Sequence, residues 1–220
     1  SGDTDVDAGE ILLGSYPTST PAGSVVGNII LATGTGVDFR RSNAVTFDGN
    51  ITYVGDSTGS NAARDGAVDI TAPGTSFTLG DNHNISVNQV YFRGGTLNLN
   101  AGSSITNAEI YLMAPSGANT TVNLADGAAF SSSDVYLGGN DSTSATSTLN
   151  ILANATVDLS DAYVYVGGLK AGGTAVLNLE AGATATMSAP QFGGNASDTL
   201  SGNGSNATIK QFCVVEYGIT

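Results

Sequence analysis

The chain repeats itself. Four segments, "GGTLNLNAGSSIT" at 94–106, "NTTVNLADGAAFS" at 119–131, "TSTLNILANATVDLS" at 146–160 and "TAVLNLEAGATATMS" at 174–188, align on a triplet of apolar residue, Asn, apolar residue. The triplets begin at Leu97, Val122, Leu149 and Leu177, with Val68 of "VDITAPG" as an earlier copy, and successive starts lie 29, 25, 27 and 28 residues apart. A period in that range marks a repeat architecture, in which each unit is too small to bury its apolar face and must stack on its neighbours. Five residues after the start of the last four triplets stand Gly102, Gly127, Asn154 and Gly182. These residue types tolerate positive φ, so the spacing marks a corner.

A second piece recurs upstream of the triplets: "TYVGD" from 52, "VYFRG" from 90, "IYLMA" from 110, "VYLGG" from 135 and "VYVGG" from 164. Its alternation sends Val135 and Leu137 to one face of a strand and Tyr136 to the other. A third strand is expected after each corner, carrying Phe77, Ile105, Phe130 and Val157, three residues beyond Gly74, Gly102, Gly127 and Asn154. The last copy offers Ala185 there, with Met187 close by. Three short strands per unit predict an all-β parallel β-helix, or β-solenoid, with coils of about 25–29 residues and the right-handed sense that parallel crossovers prefer. Length varies mainly between the Tyr and Asn strands, as in "NDSTSATS" at 140–147, as insertions at one corner would. An antiparallel sandwich would also show regular turns, but gives its strands no reason to share side chains.

The repeats are expected over 45–190, with non-repeat strands at both ends. Residues 1–44 form an N-terminal arm with cap or assembly strands, "EILLGSY" and "VVGNIILATG"; residues 191–220 end in the cap or assembly strand "ATIKQFCVVEYGIT". A solenoid end exposes unpaired backbone, so these strands either cap their own subunit or exchange between subunits.

The surface chemistry narrows the function classes. A net charge of -13, from 6 Lys+Arg against 19 Asp+Glu, excludes a nucleic-acid partner, which needs a basic footprint. Only 11% of residues are charged, so small neutral polar groups must cover the surface, as is common in extracellular β-rich proteins. Cys213 has no second cysteine to pair with, and no run of about 20 apolar residues predicts a membrane span. The expected location is secreted, extracellular or cell-surface.

Through segments such as "TLNLNAGSSIT" and "STLNILANATVDLS", the chain resembles the β-solenoid repeats of secreted adhesins and autotransporter passenger domains over roughly residues 45–190. The resemblance implies surface display, adhesion or assembly, with other copies of the chain as the first partner. The fold is also shared with pectate lyases and polygalacturonases, so a polysaccharide-active enzyme is a further alternative to be judged on residues.

Stacked coils turn equivalent positions into columns about 4.8 Å apart. Tyr53, Tyr91, Tyr111, Tyr136 and Tyr165 are expected to form one exterior column, with Tyr163 beside Tyr165. Either the rings support one another, or they make a contact strip for a glycan or protein. A second column holds Asn98, Asn123, Asn150 and Asn178, with Asp69 in the earlier copy, flanked by Thr96, Thr121 and Thr148. Amides at this spacing bond to one another. A Thr-bearing ice-binding face is a minor alternative, its rank broken at Ala67 and Val176.

The opening "DTDVDAGE" puts Asp3, Asp5 and Asp7 at alternate positions, as in a calcium loop, with Glu10 assisting. Ala8 stands where that loop needs Gly, and Gly14 where it needs a bidentate Glu. A Ca²⁺ site and a solvated acidic arm are both open. For catalysis, Asp134, Asp158 and Asp161 form one acidic group and Asp65 and Asp69 another, without a recurring basic partner. His83 reads as a loop residue, and Arg40 and Arg41 as partners of local acids such as Asp38. Eight Asn-x-Ser/Thr sites occur, at Asn50, Asn84, Asn119, Asn140, Asn154, Asn195, Asn203 and Asn206. The expected function is a non-enzymatic structural protein, a self-assembling subunit of a filament, matrix or adhesin array; the alternative is a glycan-binding adhesin module using the Tyr column.

Overall fold

The computed structural model describes residues 2–14, 25–55, 65–72, 74–106, 108–113, 119–131, 133–137, 146–166, 174–187, 191–193, 199–202, 206–209 and 213–215. Among them the protein is all-β, without helices, and its strands pair in parallel within three sheets. The Tyr sheet has nine strands: Glu10–Leu13, Gly36–Arg40, Ala67–Thr71, Gln89–Arg93, Glu109–Met113, Ser133–Leu137, Ala162–Val166, Gln191–Gly193 and Cys213–Val215. The Asn sheet has seven: Val45–Phe47, Ser76–Leu79, Gly95–Leu99, Thr120–Leu124, Thr146–Ile151, Thr174–Leu179 and Thr199–Gly202. A nine-stranded corner sheet runs from Thr4–Val6 through Ile29–Leu31, Ile51–Tyr53, Asn84–Ser86, Ser104–Thr106, Ala129–Ser131, Thr156–Leu159 and Thr184–Met187 to Asn206–Ile209.

From residue 45 onward the chain visits Asn sheet, corner sheet and Tyr sheet in rotation. Each new strand lies beside the strand laid down one visit earlier, an arrangement compatible with a parallel β-helix. The strands at 4–40 and 199–215 belong to the same three sheets as those of 45–190. In-register partners are 20 residues apart at Val90 and Ile110 and 29 apart at Val135 and Val164, so the repeat is shorter in places than the Asn triplets imply.

Register also corrects three placements read from the sequence. The "VDIT" strand is no copy of the Asn triplet: Val68 pairs with Val90 and Asp69 with Tyr91, inside the Tyr sheet. The true predecessor of "TLNL" is "SFTL", with Phe77 against Leu97 and Thr78 against Asn98. Phe77 therefore belongs to the Asn sheet, not to the third strand. Tyr53 lies on the corner sheet, its neighbours there being Leu31 and the strand at 84–86. All three errors share one cause. Alternation names the buried face of a strand but not the sheet it joins, which only cross-strand pairing decides.

Inward residues from all three sheets, among them Phe77, Phe92, Leu97, Ile105, Ile110 and Phe130, form one buried apolar cluster. At the N-terminal end of that cluster Phe39, Phe47 and Phe77 pack ring to ring, with the Phe39 and Phe77 centroids 4.9 Å apart. The expected corner is present: Asn82, Gly102, Gly127, Asn154 and Gly182 all have positive φ. At the short turn from the Tyr sheet to the Asn sheet, Gly95 has φ +90°, and a Cβ there would collide with the Ala72 carbonyl oxygen. In one place the ladder steps out of the repeat's register: Ala129 pairs with Asp158, and the Asp126 carboxylate accepts the Thr156 N–H at 2.9 Å.

Candidate functional site

The outward face of the Asn sheet is an amide ladder. Asn123 Nδ2 donates to Asn98 Oδ1 at 2.8 Å, Asn150 Nδ2 to Asn123 Oδ1 at 2.9 Å and Asn178 Nδ2 to Asn150 Oδ1 at 3.1 Å. Asn98 Nδ2 closes the row on Thr78 Oγ1 at 3.1 Å. The earlier member is thus Thr78, not Asp69. In-register strands bring the amides close enough for this, and each rung satisfies one donor and one acceptor of its neighbours. The flanking row runs Ser76, Thr96, Thr121, Thr148, Val176, so Ala67 is not the residue that ends it.

A second ladder was missed in the sequence. Asn28 Nδ2 donates to Asp3 Oδ1 at 3.0 Å, the Asn50 N–H to Asn28 Oδ1 at 2.9 Å and the Asn84 N–H to Asn50 Oδ1 at 2.8 Å. Its sequence mark is an Asn-Ile pair opening a corner-sheet strand, at 28, 50 and 84. The ladder takes Asp3 as its terminal acceptor. Asp3 and Asp5 lie on the corner-sheet side and Glu10 on the Tyr sheet, and no group of three His, Cys, Asp or Glu suited to a metal occurs among the described residues.

The outward face of the Tyr sheet is mixed. Tyr91, Tyr111 and Tyr136 are in register and stacked, with centroids 5.0 Å apart and ring planes within 9° and 12° of parallel. Tyr165 continues the column in backbone register; its side chain and that of Tyr163 lie outside the described ones. Tyr53 is not in the column: its hydroxyl donates to Asp65 Oδ1 at 2.7 Å at another corner. The positions before Tyr91 are held by Asp69 and Asp38.

Those two carboxylates meet two arginines. Arg40 Nε lies 2.7 Å from Asp38 Oδ2, and Arg93 Nε donates to both oxygens of Asp69 at 2.9 and 3.2 Å. The Arg93 guanidinium also sits 5.0 Å from the Tyr91 ring centroid, a cation–π position. Asp38 is 1% exposed, and its Oδ1 has no hydrogen-bond partner. Burial first, and then the charge of Asp69, push its carboxyl above the ordinary range against the pull of Arg40.

Farther along, Tyr111 Oη donates to Glu109 Oε2 at 2.9 Å and Gln89 Nε2 to the same oxygen at 3.2 Å. Burial, and then the Glu109 carboxylate, raise the Tyr111 phenol. Asp134, in register with Glu109, is raised by burial and then by that neighbour's charge.

Sugar recognition by aromatics needs an open ring face. Tyr111 has a ring on either side, and Tyr91 has Tyr111 on one side and Arg93 on the other. Carboxylate catalysis needs access to substrate. Asp38 is buried, and both Asp69 oxygens are held by Arg93. Asp126 and Glu180 accept the backbone N–H groups of Thr156 and Ala153 in neighbouring repeats. His83 is half-buried in the turn before its corner strand. Among the Asn-x-Ser/Thr sites, Asn50 and Asn84 are ladder members, Asn119 Oδ1 accepts the Thr146 N–H at 3.2 Å, and Asn154 is exposed at its corner. Asn140, Asn195 and Asn203 lie outside the described residues, as does the Asn206 side chain. No described helix is long and apolar enough to cross a membrane. Compared with known proteins, the chain matches no family model, no curated protein and no solved structure.

Proposed function

We propose that the three sheets close into a right-handed β-solenoid with three short strands per coil, and that the protein is a structural subunit of an extracellular filament, matrix or adhesin array. One observation carries this reading. The outward groups that recur along the stack are turned toward neighbouring coils, amide to amide from Asn98 to Asn178 and ring to ring from Tyr91 to Tyr136. Such rows stiffen a rod and leave little for a ligand to bind. A stack of like rungs is also one that the edge strand of another copy can extend, and head-to-tail addition of that kind builds open filaments. The neutral polar surface of a chain with 11% charged residues fits an extracellular place for it.

Negative-stain electron microscopy of the purified chain, beside a glycan panel, tests the reading. Fibres or arrays without glycan binding are expected. Dispersed monomers that bind a glycan, and lose it when Tyr111 and Tyr136 are both replaced by Ser, would overturn it in favour of an adhesin module.

A further inference from the structure

Among the described residues, the outermost strand of the Tyr sheet, Glu10–Leu13, has a single partner strand, Gly36–Arg40. Leu12 is in register with Asp38 and is itself 53% exposed. On the other side of Asp38 lies Asp69. A buried carboxylate thus stands in register between an apolar residue at the sheet edge and a second carboxylate. Of its two oxygens, Oδ2 takes the Arg40 Nε–H, while Oδ1 is buried without a donor. An ionised oxygen in that position lacks the hydrogen bonds it would have in water, and the deficit disappears if it carries a proton or if the covering strand lifts.

We propose that Asp38 is a pH-operated latch on this strand: protonated, it lets Glu10–Leu13 stay docked; ionised, it favours release. The charged groups around it are Arg40 on its own strand, Asp69 and then Arg93 across the next two strands, Glu10 opposite Gly36 on the docked strand, and Arg41 just beyond the strand end. Two acids, Asp69 and Glu10, stand there against three arginines, and burial still decides the direction as the first cause of the raised carboxyl. Docking raises the affinity of Asp38 for its proton, and by linkage loss of the proton weakens docking. The docked state gains most below the ordinary carboxyl value of 3.8 and loses that gain as pH rises through the raised one. Release would bare the Gly36–Arg40 edge and free an apolar strand, the two halves of an exchange between copies. That use of the latch rests on the assembly reading above; the latch itself does not.

Hydrogen exchange on the full chain tests it, comparing backbone amides of residues 10–13 with those of 146–151 in the Asn sheet. After correction for intrinsic rates, opening at 10–13 should grow with pH, by up to about tenfold per unit within the titration window of one proton, while the control strand stays flat. Asp38→Asn keeps the shape without the charge and should keep 10–13 protected at every pH. Protection at 10–13 that is constant or rises with pH, or a pH dependence unchanged in Asp38→Asn, overturns the proposal. If the variant does not fold, carbon NMR of the wild-type Asp38 carboxyl decides: a midpoint coinciding with the exchange transition supports the latch, and one in the ordinary range or below overturns it. A latch that operates in a chain forming no fibres at any pH would uphold this proposal and sink the assembly reading.

Discussion

The Asn sheet and the Tyr sheet share one backbone spacing and hold their outward faces together by opposite means. On the Asn sheet a single neutral group, the amide, supplies both donor and acceptor, so each rung completes the one before it. The Tyr sheet changes chemistry along its length, from the buried Asp38 through the Asp69–Arg93 pair to stacked rings. Its like-charged neighbours, Asp38 with Asp69 and Glu109 with Asp134, are in adjacent rungs. The difference teaches that an outward row of like residues holds a parallel stack together when those residues can bond to or stack on one another. Asn and Tyr can do so; an acid cannot without a cation or a proton.

The largest effect should come from the interior that both faces enclose. Leu149→Ala and Leu177→Ala each open a cavity in the buried cluster and are expected to cost about 2 to 5 kcal/mol in denaturant unfolding. Small losses at both would mean that the inward and outward faces have been exchanged. Next, Asn150→Ala removes the Asn150–Asn123 and Asn178–Asn150 bonds and should cost about 1 to 3 kcal/mol at roughly 0.5–1.5 per bond, equally at pH 5 and pH 8. A cost that varies with pH would tie the ladder to a titrating group and blur the contrast between the faces.

On the Tyr sheet the effects are smaller and depend on conditions. Arg93→Gln loses a pair whose arginine side chain is 42% exposed, so a loss of about 0.2–1 kcal/mol is expected, shrinking with added salt. A salt-independent loss would show that stacking on Tyr91, not charge, is what Arg93 supplies. Asp134 is raised by burial and by Glu109, so its favourable contribution is complete below the ordinary carboxyl range and fades as pH rises through the folded value. Asp134→Asn should therefore slightly raise the unfolding midpoint near pH 7 and leave it nearly unchanged near pH 4. A lower midpoint near pH 7 would give Asp134 a favourable partner that the raised carboxyl does not predict.

Much of the fold could be read from Leu97, Val122, Leu149 and Leu177, because the apolar-Asn-apolar triplet fixes both a buried face and a self-bonding outer row. The same alternation misled at Val68, where "VDIT" looks like a triplet but pairs with "VYFR". Tyr53 misled because a Tyr after a Thr in a short strand carries no sign of which sheet it enters. The Asp38, Asp69, Arg40 and Arg93 cluster was half legible. Arg40 and Asp38, two residues apart on one strand face, could be paired from sequence, whereas Asp69 and Arg93 are 24 residues apart and meet only through register. The Asn28, Asn50 and Asn84 ladder had a signal in its repeated Asn-Ile pair, at spacings too uneven to stand out.

The central claim is that the outward rows hold each strand to the next. A double-mutant cycle on Asn123 and Asn150, with each and both changed to Ala and stability read by denaturant unfolding, measures that coupling directly. The account predicts a favourable interaction of about 0.5–1.5 kcal/mol between the two side chains. Strict additivity, with no coupling across the 2.9 Å amide contact, would contradict it.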